Sequence, residues 1–249
     1  MFYPACRLIL LAVCLLSTGL SEDRLTFAAA LPSVKSIQKY GQHVCNAVEI
    51  ASELFVTSAA CLVSSKPSEL QLTSTKDSRM VPPKTQCDVT SYELHPKYTF
   101  LSHNIGVMEV KCGGIHRSLT RNTLMSDVKN GDYLTLVGVD KSLQKVNVRM
   151  KLQKCRVCQK EYAVFDCGRQ ICLKPVGKDI EKLQTIEGLP GAAIFNENSE
   201  LVGILSYGFA TGSFVAESIR YYKMFLEKAR QSFYTDNSVV DQGSAAISI

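Results

Sequence analysis

From Val44 to the neighbourhood of Tyr207, short runs rich in Val, Ile, Leu and Thr alternate with clusters of turn formers, and this spacing restricts the fold more than any other feature of the chain. The runs are Val48 to Ile50, Leu54 to Thr57, Val89 to Leu94, Ile105 to Val110, Tyr133 to Val139, Val146 to Leu152, Ala192 to Phe195 and Leu201 to Ser206. Between them stand Pro82-Pro83, His95-Pro96, Gly113-Gly114, Asn130-Gly131 and Asn196 to Asn198. Many short strands punctuated in this way predict an all-β sandwich or barrel. Near the C-terminus the period changes. Ile219, Tyr222, Leu226 and Ala229 recur at helical intervals between Glu217-Ser218 and Gln231, which predicts one amphipathic helix closing the domain. Residues 234–249 lack periodicity and are rich in Ser, Asp, Asn and Gly, so they are expected to form a mobile tail.

The amino terminus predicts export. Arg7 precedes the apolar run Leu8 to Leu16, and Ser17, Thr18 and Gly19 follow before Glu22-Asp23, the pattern of a secretory signal peptide over residues 1–20. The run is shorter than the ~20 residues of a membrane span, and no later stretch reaches that length, so a secreted, extracellular product without a membrane span is expected. Cleavage removes Cys6 and Cys14 and leaves Cys45, Cys61, Cys87, Cys112, Cys155, Cys158, Cys167 and Cys172. An even cysteine count in an oxidising compartment reads as disulfides before metal ligands. The competing reading is a zinc site built on Cys155-x-x-Cys158 with Cys167 and Cys172, a metal-stabilised structural protein. The second half of that cluster is spaced unlike a second C-x-x-C, so no metal and no cofactor are expected. No Asn-x-Ser/Thr sequon is present.

Composition excludes other classes. With 249 residues, 46% hydrophobic and 20% charged, the chain can bury a core and is neither disordered, collagenous nor a coiled coil. A net charge of +5 is spread along the chain and gives no nucleic-acid footprint. The densest basic stretch, Lys141, Lys145, Arg149, Lys151, Lys154 and Arg156, alternates with Leu143, Val146, Val148, Met150 and Leu152, the pattern of a half-buried strand, and a solvated strand face is favoured there over a polyanion site.

Five blocks in order carry a resemblance. His43 to Ile50 through Val56 to Cys61 resembles the trypsin-like serine protease block CGG-S-L-I … L-T-A-A-H-C, with its two cysteines sixteen residues apart. His95-Pro96-Lys97-Tyr98 is similar to H-P-x-Y, and Asn104 to Met108 to D-I-A-L-L. Gly188 to Ile194 falls on G-D-S-G-G-P-L, and Leu201 to Gly208 on L-V-G-I-V-S-W-G. The resemblance covers about residues 36 to 230 and implies two six-stranded antiparallel barrels facing each other across a cleft, in a domain spanning 21–233.

In such a cleft a hydroxyl nucleophile, an imidazole base and an orienting carboxylate do the chemistry. The resemblance places Pro190, Ala60 and Asn104 at these positions, so no catalytic residue is expected. Proline also lacks the N–H that one arm of the oxyanion hole requires, a loss worth ~3–4 kcal/mol of transition-state stabilisation. The aspartate that pairs with the new N-terminus of activated relatives is Leu189, and no I-V-G-G lies between Leu20 and Val34. Gln184 stands at the base of the specificity pocket, and the cysteine bracing that pocket is replaced by Ile186. His103 beside Asn104, with Ser206, is the substitute pair the sequence offers for a hydrolase with an unrecognised site. The bland readings are favoured, a solvated turn and a structural serine. His43, His95 and His116 have no evident partner.

The resemblance implies the Cys45–Cys61 bridge. Cys87 and Cys112 bracket two strands joined around His95 to His103, so an antiparallel ladder brings them opposite each other. In the second barrel Cys172 is expected to pair with Cys155 or Cys158, and the three possible pairings of the last four cysteines stay open. The implied function is that of a non-catalytic serine protease homologue, of the kind found especially in arthropods. Such a protein binds extracellular proteins, active proteases or their substrates, as cofactor, decoy or regulator in haemolymph or seminal fluid.

Overall fold

Alternating burial is the device that closes the sheets. A computed structural model describes residues 34–74, 86–113, 127–177, 183, 187–209 and 212–244, with side chains as far as residue 235. The strands are β1 (Val34–Lys39), β2 (Gln42–Ala51), β3 (Leu54–Thr57), β4 (Leu70–Thr73), β5 (Gln86–Leu94) and β6 (Gly106–Cys112) in the first half. The second half holds β7 (Tyr133–Val139), β8 (Lys145–Leu152), β9 (Gln170–Pro175), β10 (Ala193–Phe195), β11 (Leu201–Gly208) and β12 (Phe214–Ser218). Each half is a closed antiparallel barrel, ordered β1-β2-β3-β6-β5-β4 and β7-β8-β9-β12-β11-β10, so both halves use one topology. β8 shows the principle: Val146, Val148, Met150 and Leu152 point inward while Lys145, Asn147, Arg149 and Lys151 face water.

Three apolar clusters hold this frame. Ile37, Phe55, Leu72 and Met108 fill the first barrel, and Leu136, Val148, Leu173 and Phe214 fill the second. Val48, Ile50 and Val56 from one barrel meet Val137, Phe195 and Ile204 from the other, and Tyr222, Leu226 and Ala229 seal that seam. The last three lie at or within the start of α2 (Lys223–Ser244).

Differences from the sequence pattern have local causes. Glu217 and Ser218 end β12 instead of starting a helix, because Tyr221 and Tyr222 N–H groups bond the Ser218 carbonyl in a turn before α2. α2 then runs on to Ser244, through most of the segment assigned from composition to a tail. Strands β1, β4, β9 and β12 and the helix α1 (Cys155–Glu161) carry too short or too polar a pattern to stand out. The predicted signal peptide and residues 245–249 lie outside the described residues.

Four disulfides are present among the described residues: Cys45–Cys61, Cys87–Cys112, Cys155–Cys167 and Cys158–Cys172. Cys87 and Cys112 face each other across the β5–β6 ladder, as expected. Of the open pairings around Cys172, the fold selects Cys158, because the buried side of α1 packs against β9.

Candidate functional site

Ala60, Asn104 and Pro190, where the resemblance expects the triad, each take part in hydrogen bonds between elements of the chain. Ala60 is exposed on a 3-10 turn (Ala59–Cys61) after β3, and its N–H donates to Asn104 Oδ1 at 2.8 Å. Asn104, fully buried, donates from Nδ2 to Ser206 Oγ at 2.8 Å. These two bonds orient the amide, since a backbone N–H can only donate. Pro190 joins the group through its carbonyl, which accepts from Asn46 N–H at 2.8 Å. Asn46 follows Cys45, and Cys45 is bonded to Cys61 next to Ala60. The fold therefore gathers the aliphatic stub, the neutral amide and the imino ring around one disulfide.

A carboxylate remains nearby, although not at position 104. Glu217, buried at the end of β12, accepts from Tyr222 Oη at 2.6 Å and Gln170 Nε2 at 2.7 Å, and from the backbone N–H of Asn104. Burial pushes its carboxyl up against the pull of these donors and of Arg169. A second carboxylate at position 104 would face this one with no imidazolium between, so the neutral amide removes a like-charge conflict. Burial and the same charge push the Tyr207 hydroxyl up to about 12.

The loop carrying Pro190 is fastened from several directions. Leu189 is 1% exposed and packs with Leu183, Leu205 and Phe214 inside the second barrel. Leu189 thus makes buried apolar contact at the position where the resemblance expects an aspartate. The Gly188 carbonyl accepts from both His43 Nε2 and Asn46 Nδ2, each at 2.8 Å. Because a carbonyl cannot donate, His43 carries its proton on Nε2, and Nδ1 accepts from Ser36 Oγ at 2.7 Å. Asn46 also brackets Val139, accepting from its N–H at 2.7 Å and donating to its carbonyl at 3.0 Å. Gly191 at φ +83° completes the turn, and a Cβ there would lie 1.9 Å from the Asn46 carbonyl oxygen. Sequence reasoning assigned roles to neither Asn46 nor His43. The available signal was Asn46 itself, an amide where the resembled block has glycine.

α1 packs against the second barrel beside β11 and β12. Phe214, fully buried, pairs across the ladder with Gly208. Glu161 accepts from Ser213 N–H at 2.8 Å and Tyr162 Oη bonds the Ser213 carbonyl. Tyr162 stacks on Phe209 with ring centroids 5.8 Å apart. Cys155–Cys167 and Cys158–Cys172 hold α1 in place, so the four cysteines weighed as zinc ligands are tied up as disulfides. Gln184 and Ile186 lie outside the described residues, as does His116.

The substitute pair is not assembled. His103 Nδ1 lies 3.3 Å from Tyr222 Oη and its ring stacks on His95 at 4.8 Å, whereas Ser206 is occupied by Asn104. Burial lowers the pKa of His43, His95 and His103 alike. Among the described residues no group of three or more His, Cys, Asp or Glu could hold a metal ion.

A family model for trypsin matches residues 25–224. The chain belongs to the trypsin family. Ala60, Asn104 and Pro190 all lie inside the matched span. Among solved structures, that of GrC is similar at 18% identity, with a TM-score of 0.67, over 81% of this trypsin-family chain and 95% of GrC. A kallikrein-related peptidase 10 complex with Zn2+ is similar at 18% identity and a TM-score of 0.64, over 82% of this chain and 96% of that one. No curated protein matches by sequence.

Proposed function

We propose that this trypsin-family chain is a secreted, catalytically inactive homologue that acts by binding, as cofactor, decoy or regulator of extracellular proteolysis in a body fluid such as haemolymph or seminal fluid. The observation that carries the proposal is the loop 188–191. Its half-buried corner is a proline, its carbonyls bond Asn46 and His43, and its buried side chain is Leu189. Such a loop offers neither a nucleophile nor a second oxyanion donor, and nothing in it waits for an activating N-terminus. Four disulfides in one domain fit an oxidising compartment.

A rigid protease-shaped surface without turnover suits a role as partner of active proteases or of their substrates. The experiment is affinity capture with the immobilised mature protein from the fluid into which it is secreted. Recovery of a protease or a protease substrate is the expected result. Cleavage of mixed peptide substrates by the purified protein alone, with no captured partner present, would contradict the proposal.

A further inference from the structure

The outer face of the second barrel carries a row of cations. Along β8 the four water-facing positions are Lys145, Asn147, Arg149 and Lys151, and none is acidic. Exposed Lys174 on β9 stands directly opposite Lys151 in the ladder. On the other side Tyr133 of β7 stands opposite Lys151, with the Arg149 guanidinium 4.1 Å and the Lys151 ammonium 5.8 Å from its ring centroid. Among the described residues no carboxylate forms a salt bridge with Lys145, Lys151 or Lys174, although such bridges occur elsewhere on the molecule.

Like charges directly opposite on a sheet are destabilising, so the stability of the barrel gives no reason to set Lys151 against Lys174. The geometry of the row suits a ligand. Alternate residues on a strand project to one side about 6.8 Å apart, so the row from Lys145 to Lys151 runs for about 20 Å, and Lys174 widens it by one strand. A ring under the guanidinium orders that fork to meet two oxygens of one oxyanion.

We propose that this face binds a linear sulfated polysaccharide, laid along β8 with its sulfates on Lys145, Arg149, Lys151 and Lys174. A straight file of cations matches a linear chain carrying an anion on each unit. The four disulfides place the protein where sulfated glycans rather than nucleic acids are the abundant polyanions. The inference is independent of the inert cleft, since the row lies on the outside of one barrel.

The test is a titration of the mature protein with a size-defined heparin oligosaccharide over a series of salt concentrations. One variant carries Lys145→Gln, Arg149→Gln, Lys151→Gln and Lys174→Gln. A matched variant loses the same charge elsewhere through Lys66→Gln, Lys97→Gln, Lys111→Gln and Lys228→Gln. The unaltered protein is expected to bind, with affinity falling as salt rises. The β8–β9 variant should lose about tenfold or more and flatten the log–log salt slope by roughly 2–3, taking about 0.7 per cation as for a single-stranded polyanion. The matched variant should stay within about threefold. Absence of binding by the unaltered protein, equal loss in both variants, or equally effective displacement by single-stranded DNA of the same charge would each overturn the proposal. Thermal unfolding of both variants verifies that these exposed substitutions leave the fold intact.

Discussion

Asn46 makes the loop's state depend on one amide. Its side chain satisfies the Val139 N–H and carbonyl in buried bonds and shares the half-buried Gly188 carbonyl with His43. Asn46→Ala strands these groups and is expected to cost about 2–4 kcal/mol, since each buried unpaired group costs about 1–3 kcal/mol. Urea unfolding measures it, and a change under about 1 kcal/mol would mean that water replaces the amide. Asn104→Asp should also destabilise the fold at neutral pH, by introducing a carboxylate beside Glu217. Its folded pKa would be raised, so the penalty sets in as pH rises past the ordinary carboxylate value and vanishes in acid. Urea unfolding of this variant at about pH 4.5 and about pH 7.5 should therefore show a gap from the parent mainly at the higher pH. Of these residues Ala60, Asn104 and Pro190 drew notice in the sequence because each stands, by resemblance, where a spaced motif expects a chemically unmistakable group. Asn46, His43 and Glu217 were not, because most of their partners lie tens to more than a hundred residues away.

At the level of elements, alternation made most strands visible. β3 and β7 have the bounds that the pattern predicts, whereas β1 was hidden by Lys35, Gln38 and Lys39, the first of which is buried and bonds Ser74 Oγ at 3.0 Å. α1 was hidden for another reason: its seven residues are held by disulfides and by Tyr162 packing, not by an amphipathic period. Replacing Cys158 and Cys172 by serine should therefore cost ~2–5 kcal/mol and free α1 from the β11–β12 turn. Limited proteolysis should then cut between residues 155 and 167 faster than in the parent, and unchanged cutting would show that Glu161 and Tyr162 hold α1 unaided.

For the whole molecule, the pH dependence of stability sums opposing groups. His43, His95 and His103 titrate below their ordinary value of 6.5, so the unfolded chain takes up protons first as pH falls and stability is lost on acidification from about pH 6.5. Glu217 acts in the opposite direction, because its raised pKa makes the folded chain hold a proton that the unfolded chain has released above about pH 4.5. Glu217→Gln should remove that offset and steepen the loss of stability between about pH 6.5 and about pH 5, as read by urea unfolding. An unchanged slope would show that Glu217 is ionised over this range in the folded chain as well.

The most direct measurement of the proposed inactivity is labelling with a fluorophosphonate probe, read by mass spectrometry of the modified peptide, on the parent and on a variant carrying Ala60→His, Asn104→Asp and Pro190→Ser together. No serine should be labelled in the parent. Labelling at position 190 of the triple variant should remain far below that of an active trypsin-family protease, because Leu189, Asn46 and His43 still hold the loop. Stoichiometric labelling of any serine in the parent would contradict the account.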